Sequence, residues 1–171
     1  MLSDLERVTL IRQYGQPYDV FVETGTAGGF TVIRLVNDFK RLVTIELDYD
    51  RYVVVAAREF MLQNTNILPL FGDSTRVLPE VLSFLNESAV FWLDAHYVGS
   101  GVRGEVDSPA DTELEMILKW SKNNGLDCAV LIDDARFFGH DPGWPTMFRL
   151  ERLAKDYDRQ FVLQDDVIRV T

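Results

Sequence analysis

Val20–Phe30 reads VFVETGTAGGF: a short apolar run that breaks into three glycines within five residues. A strand passing through a small-residue turn into a helix accounts for this pattern, because Gly25, Gly28 and Gly29 let the backbone pass close beneath a ligand while the first N–H groups of a helix stay free. The same small residues would also serve a plain tight connection. The glycine spacing differs from the dinucleotide fingerprint, since Phe30 stands where a small residue is needed, and no GxxxxGK[S/T] phosphate loop occurs anywhere. Outward from this segment, Asp19–Glu23, Arg41–Leu47, Asn66–Phe71, Ala89–Asp94 and Asp127–Asp133 read as strands with nearly continuous apolar cores, as expected for parallel strands covered on both faces. Helical patterns fall at Leu2–Tyr14, Thr31–Phe39, Tyr49–Gln63, Arg76–Leu85 and Pro109–Asn123, the last with Ser108 as its expected N-cap. Strand–helix alternation of this kind predicts an α/β fold with a parallel sheet. Trp144–Tyr157 reads as a further helix, and Gln160–Gln164, Asp165-Asp166 and Val167–Thr171 then read as a terminal antiparallel hairpin.

Composition narrows the function. The chain has 171 residues, 27 Asp and Glu against 17 Lys and Arg, a formal charge of −10, and 47% hydrophobic residues. Residues 1–171 are expected to form one domain large enough to hold a core without metal or disulfide staples. The acidic balance opposes a broad grip on nucleic acid. No apolar run approaches the roughly 20 residues of a membrane helix, and the N-terminus lacks a signal peptide's pattern. With the lone Cys128, these features predict a cytoplasmic protein that takes a small-molecule substrate, with no membrane partner and a homo-oligomer possible. The long loops after the fourth and fifth strands, 95–108 and 135–143, are expected to open at the carboxyl edge of the sheet, where open α/β folds bind ligands.

Two further loops support a ligand at that edge. The second strand ends in Glu46-Leu-Asp48, where an acid can grip both hydroxyls of a ribose. The third ends in Gly72-Asp73-Ser74, where a carboxylate can meet an adenine amino group. With Glu23-Thr-Gly-Thr-Ala-Gly-Gly29, these motifs resemble those of the class I S-adenosylmethionine-dependent methyltransferases, over nearly the whole chain. Ala27 departs from that family's usual glycine spacing. The resemblance implies a Rossmann-like three-layer sandwich with a mostly parallel seven-stranded sheet, order 3-2-1-4-5-7-6, closed by the antiparallel hairpin. It also implies S-adenosylmethionine as cofactor, with Glu23, Gly25, Thr26, Ala27, Gly28, Glu46, Asp73, Ser74 and Asp94 as its binding residues.

In that order the fourth and fifth strands are neighbours, so Asp94 in FWLDAHY and Asp133 in VLIDDAR end close together. Three carboxylates at one edge repel unless a cation neutralises them, and oxygen ligands suit Mg²⁺. Resemblance to metal-dependent catechol-type and macrocin-type O-methyltransferases implies Asp94, Asp133 and Asp134 as the metal ligands. Strand alternation opposes it, because Asp133 and Asp134 point to opposite faces unless the strand ends between them. The lysine base of the catechol-type enzymes is missing from residues 95–100. His96 is the local candidate for proton acceptor beside Asp94, with a satisfied structural histidine as the alternative. Tyr97 suits packing or substrate stacking, and Arg103 and Arg136 suit either an acidic substrate or the local carboxylates. The expected function is Mg²⁺-assisted O-methylation of a sugar or similar small hydroxylated molecule. A metal-independent methyltransferase and a non-catalytic cofactor-binding module are the alternatives.

Overall fold

The computed structural model describes residues 2–56, 62–97, 99 and 102–171. In chain order the elements are α1 (Asp4–Gly15), β1 (Val20–Thr24), α2 (Phe30–Leu35), β2 (Arg41–Glu46), α3 (Tyr49–Ala56), β3 (Ile67–Phe71), α4 (Ser74–Phe84), β4 (Ala89–Leu93), α5 (Ala110–Asn124), β5 (Cys128–Ile132), a 3₁₀ turn (Ala135–Phe137), α6 (Met147–Asp156), β6 (Phe161–Gln164) and β7 (Val167–Val170). The strands form one sheet in the order β3-β2-β1-β4-β5-β7-β6. β1 to β5 run parallel, and β7 runs antiparallel to both β5 and β6. This is the expected seven-stranded architecture. Part of the helix expected over Tyr49–Gln63 lies outside the described residues.

Strand periodicity sorts the core into two layers. Val22, Val43, Phe91, Val130 and Ile132 pack under α4, α5 and α6. Phe21, Leu42, Val90, Trp92 and Leu131 face α1, α2 and α3. Both faces of the central strands are therefore covered, which explains their unbroken apolar runs. β3 lies at the sheet edge, where Pro69 leaves no ladder donor missing. Among the described residues no helix is long and apolar enough to cross a membrane.

Local chemistry sets three boundaries near the site. α1 starts in a reciprocal capping box: Ser3 N donates to Glu6 Oε2 at 2.8 Å, and Glu6 N donates back to Ser3 Oγ at 3.4 Å. α5 begins one residue later than expected. Pro109 takes the N-cap position without a side-chain bond, while Ser108 is buried and its N–H donates to Gly143 O at 3.2 Å. Ser108 thus ties two loops together instead of capping the helix. The hairpin turn Asp165-Asp166 has both residues left-handed, φ 56° and 65°, as a two-residue type I′ turn requires. The Asp166 carboxylate accepts from Arg136 N at 2.9 Å and pairs with the Arg136 guanidinium, fastening the turn to the segment after β5.

Candidate functional site

The glycine loop is pressed between two strands. Gly25 N donates to Ile45 O at 2.9 Å, and φ at Gly25 is +85°. A Cβ there would fall 2.3 Å from Asp94 O, so only glycine lets β1 end flush against β4. Ala27 is also left-handed, φ 45°, and its N–H donates to Glu46 Oε2 at 2.7 Å. Glu46 Oε1 accepts from Asp48 N at 2.8 Å. One carboxylate therefore joins the glycine loop to the segment following β2. After β3, Asp73 caps α4 through Thr75 N at 2.8 Å.

These loops border a cavity of about 470 Å³, lined by Gly25, Ala27, Glu46, Asp73 and Ser74 on one side and Asp94, His96 and Asp134 on the other. Glu23, Thr26 and Gly28, expected as cofactor residues, are not on its lining. Glu23 is fully buried one step earlier in β1, where alternation turns its side chain into the α2 layer. Thr44 Oγ1 donates to Glu23 Oε2 at 2.8 Å, which leaves Thr26 Oγ1 as donor in its 2.5 Å bond to Thr44. Thr26 and Glu23 thus brace the loop from behind.

Burial pushes the Glu23 carboxyl up to about 8, with the Asp94 charge adding, and Thr44, Thr31 and Arg7 opposing. Glu113, buried in α5 beside Ser74 and Thr24, is pushed up to about 7, again chiefly by burial. Each carboxyl stays protonated in the fold at pH values where the unfolded chain releases its proton. Native protein then binds the extra proton, so stability is full below the ordinary value of 4.5 and declines as pH rises toward 7 and 8. The expected slope is on the order of 1 kcal/mol per pH unit for each group. Denaturant titrations at pH 5 and pH 8 check this: Glu23→Gln should narrow the gap between the two pH values, and an unchanged gap would refute the assignment.

At the other wall Asp133 and Asp134 part company. Asp133 follows the β5 alternation into the α1 layer, where its Oδ2 lies 2.8 Å from Arg7 Nη2 and its Oδ1 accepts from Asp134 N at 2.8 Å. Asp134 is left-handed, φ 57°, which swings its carboxylate toward the cavity. Its Oδ2 meets His96 Nε2 at 2.8 Å and its Oδ1 meets Arg136 Nη1 at 2.6 Å. His96 Nε2 lies 3.2 Å from Asp94 Oδ1, and Asp94 Oδ2 lies 3.4 Å from Arg7 Nη1. The structure thus gathers Asp94, His96 and Asp134, whose ligand atoms lie within 4.8 Å of one another, and sends Asp133 to Arg7. The three expected metal ligands do not converge as a set. Trp144 packs on the His96 ring, with centroids 4.7 Å apart.

The electrostatics follow from these contacts. Burial pulls the His96 imidazole down, but the Asp134 hydrogen bond and the charges of Asp94, Asp134 and Asp133 outweigh it, so its pKa rises. Burial raises Asp94 to about 6, with Asp133 and Asp134 adding, and His96 and Arg7 opposing. Asp134 moves the other way: burial is overcome by His96 and Arg136, and its pKa is lowered. Arg103 pairs with Asp107 at 2.5 Å and Arg136 with Asp134 and Asp166, so both arginines balance local carboxylates.

Sequence reasoning passed over Arg7 and Glu113, while Trp144, expected as core or pocket wall, lines a cavity. Glu113 carried a legible signal, a carboxylate within the apolar stripe of Ala110, Leu114 and Ile117. Arg7 carried almost none, since only tertiary packing brings α1 to the ends of β4 and β5.

No protein-family model matches the chain, and no curated protein sequence matches it at a significant level. Solved structures do. The O-methyltransferase TomG from Streptomyces achromogenes, solved with S-adenosylmethionine, superposes with a TM-score of 0.62 at 15% identity, over 99% of this chain and 80% of that one. An O-methyltransferase from Bacillus cereus, solved with S-adenosylhomocysteine, gives 0.57 at 14%, over 96% and 78%. A precorrin 8w decarboxylase from Methanobacterium thermoautotrophicum gives 0.57 at 17%, over 99% and 90%. At these identities the likeness establishes the fold, that of the class I methyltransferases, and the fold alone.

Proposed function

We propose that this chain is an S-adenosylmethionine-dependent methyltransferase acting on a hydroxyl group of a small hydroxylated molecule such as a sugar. The observation that carries the reading is a single cavity with the glycine loop and Glu46 on one wall and the Asp94–His96–Asp134 cluster on the other. The names of the similar O-methyltransferase structures support it. A volume of about 470 Å³ suits a nucleoside-sized ligand, and the donor set on the first wall fits one. Gly25 and Ala27 offer close backbone approach, Glu46 offers carboxylate acceptors for ribose hydroxyls, and Asp73 and Ser74 stand at the adenine side. When bound, S-adenosylmethionine supplies a methyl group on a cationic sulfur.

The chain's own residues then align, exclude water and hold a proton. Tyr97 walls the acceptor side and also lines an adjoining cavity of about 340 Å³, to which Trp144 contributes. The acceptor hydroxyl gives its proton to His96 at Nδ1, the nitrogen left basic when Nε2–H donates to Asp134 at 2.8 Å beside Asp94. Asp94 and His96 are the catalytic residues of this reading, and they titrate as a unit.

Mg²⁺ was expected on Asp94, Asp133 and Asp134, and those residues do not fit it. Asp133 is committed to Arg7, and the third atom beside Asp94 and Asp134 is an imidazole nitrogen, a poor Mg²⁺ ligand.

Two measurements test the proposal. Purified protein incubated with S-adenosylmethionine and a panel of sugars and phenols should release S-adenosylhomocysteine with at least one acceptor. No release across the panel, with no calorimetric binding of S-adenosylhomocysteine, would sink it. Glu46→Ala should weaken S-adenosylhomocysteine binding about 10- to 100-fold, the loss expected when hydrogen bonds to a charged group are removed. An unchanged affinity would place the ribose elsewhere.

A further inference from the structure

The ends of β4 and β5 carry Asp94, Asp133 and Asp134, a charge that something must compensate. We infer that the guanidinium of Arg7, delivered by α1, is the cation of this site. It is a positioning residue that holds Asp94 and Asp133 where a divalent metal would otherwise be needed, and methyl transfer proceeds without a metal. The catalytic half of this inference rests on the methyltransferase reading; the electrostatic half does not.

One planar fork spans two carboxylates from neighbouring strands: Nη1 reaches Asp94 at 3.4 Å and Nη2 reaches Asp133 at 2.8 Å. The Asp133 side chain is only 2% exposed, so its charge is held in a low-dielectric setting where an unpaired carboxylate is strongly disfavoured. The guanidinium also lies over the fully buried Trp92 ring, 5.4 Å from its centroid. Two Nη atoms reaching two carboxylates beside an aromatic ring suit a guanidinium better than the single point charge of a lysine. Two features fix its backbone. The Ser3–Glu6 capping box ends one residue before it, and buried Val8 and Ile11 anchor the next turn in the sheet-facing layer.

Arg7 lies against Asp94 and Asp133, and Arg136 lies against Asp134 and Asp166. Each of the three aspartates therefore has an arginine within ion-pair distance. A dication held by Asp94 and Asp133 would have to displace Arg7 from both carboxylates.

The test uses the full chain and two variants, Arg7→Met and Arg7→Lys. Each is titrated calorimetrically with MnCl₂ and with MgCl₂ alone, and each is assayed for S-adenosylhomocysteine release with and without EDTA. The wild type should bind neither metal below the millimolar range, and EDTA should leave its turnover unchanged within about twofold. Arg7→Met should lose about 100-fold in turnover, the scale of a small misplacement of reacting groups. It should also gain a Mn²⁺ site that raises its melting temperature, because its carboxylates are now uncompensated. Arg7→Lys should fold and lose about tenfold. Tight Mn²⁺ or Mg²⁺ binding by the wild type, or loss of its turnover in EDTA, overturns the inference. So does a folded Arg7→Met that binds no more Mn²⁺ than the wild type. If Arg7→Met does not fold, the wild-type titration and Arg7→Lys decide. If no sample turns over, the methyltransferase reading fails while the metal titrations still identify the cation.

Discussion

Gly25→Ala should destabilise the protein by about 3–5 kcal/mol and abolish measurable binding of S-adenosylhomocysteine. Two costs add. The backbone at Gly25 sits at φ +85°, where any Cβ brings about 1–3 kcal/mol of strain. The added methyl would then lie 2.3 Å from Asp94 O and 2.6 Å from its carbonyl carbon, both backbone atoms that cannot rotate away. Relief requires β1 and β4 to separate at the one level where the cavity's two walls meet. Chemical denaturation measures the first effect and calorimetry the second. A Gly25→Ala protein within about 1 kcal/mol of wild type would mean that the loop does not depend on this close approach.

His96→Gln should lower kcat by about 10²- to 10⁴-fold while leaving S-adenosylhomocysteine affinity nearly unchanged, the range expected for loss of a positioned general base. Glutamine can keep a hydrogen bond to Asp134, so folding is spared and the chemistry is isolated. The pH profile supplies an independent sign. The imidazole faces Asp94 and Asp134 directly, with Asp133, Arg7, Arg136, Glu113 and the Trp144 ring around them. The carboxylates outweigh burial and raise its pKa above the ordinary 6.5. A base must be unprotonated to act, so wild-type turnover should climb as pH rises through an apparent value above 6.5. His96→Gln should lose that limb. A variant that keeps both the rate and the limb would make His96 structural.

How much of this was readable beforehand depends on the range of the interactions involved. β1, β2, β4 and β5 were legible because burial on both faces demands continuous apolar runs, a demand each segment meets by itself. The turn at Asp165-Asp166 was legible as a hairpin, since two strand-like runs flank two residues that tolerate left-handed backbone. Gly25 and Glu46 were legible as residues of two loops at one edge of the sheet, and their joining through Ala27 N was not. Glu23 was misplaced by one step of strand alternation: its motif position suggested the cavity, but its side chain turns into the opposite layer and becomes a buried, protonated brace. The same alternation separates Asp133 from Asp134, and the left-handed turn at Asp134 completes the separation. That the compensating charge comes from residue 7 was beyond any local pattern, because helix spacing places Arg7 on a face without saying which strand ends the face will meet.

The fastening of the Asp165-Asp166 turn to Arg136 bears on how the protein reaches its native state. Asp134 is held through Arg136 by a turn thirty residues downstream, while its neighbour Asp133 is held by Arg7 from the first helix. In chain order the cofactor loop at Gly25 and its Glu46 tether come early and close over a short separation. The acidic pair comes late and needs partners from opposite ends of the described chain. The Arg7–Asp133 contact spans 126 residues, and closing so long a loop carries a larger entropy cost than the 19 residues between Ala27 and Glu46. The acceptor side of the cavity therefore depends on contacts that draw both ends of the described chain together, whereas the Ala27–Glu46 tether is local.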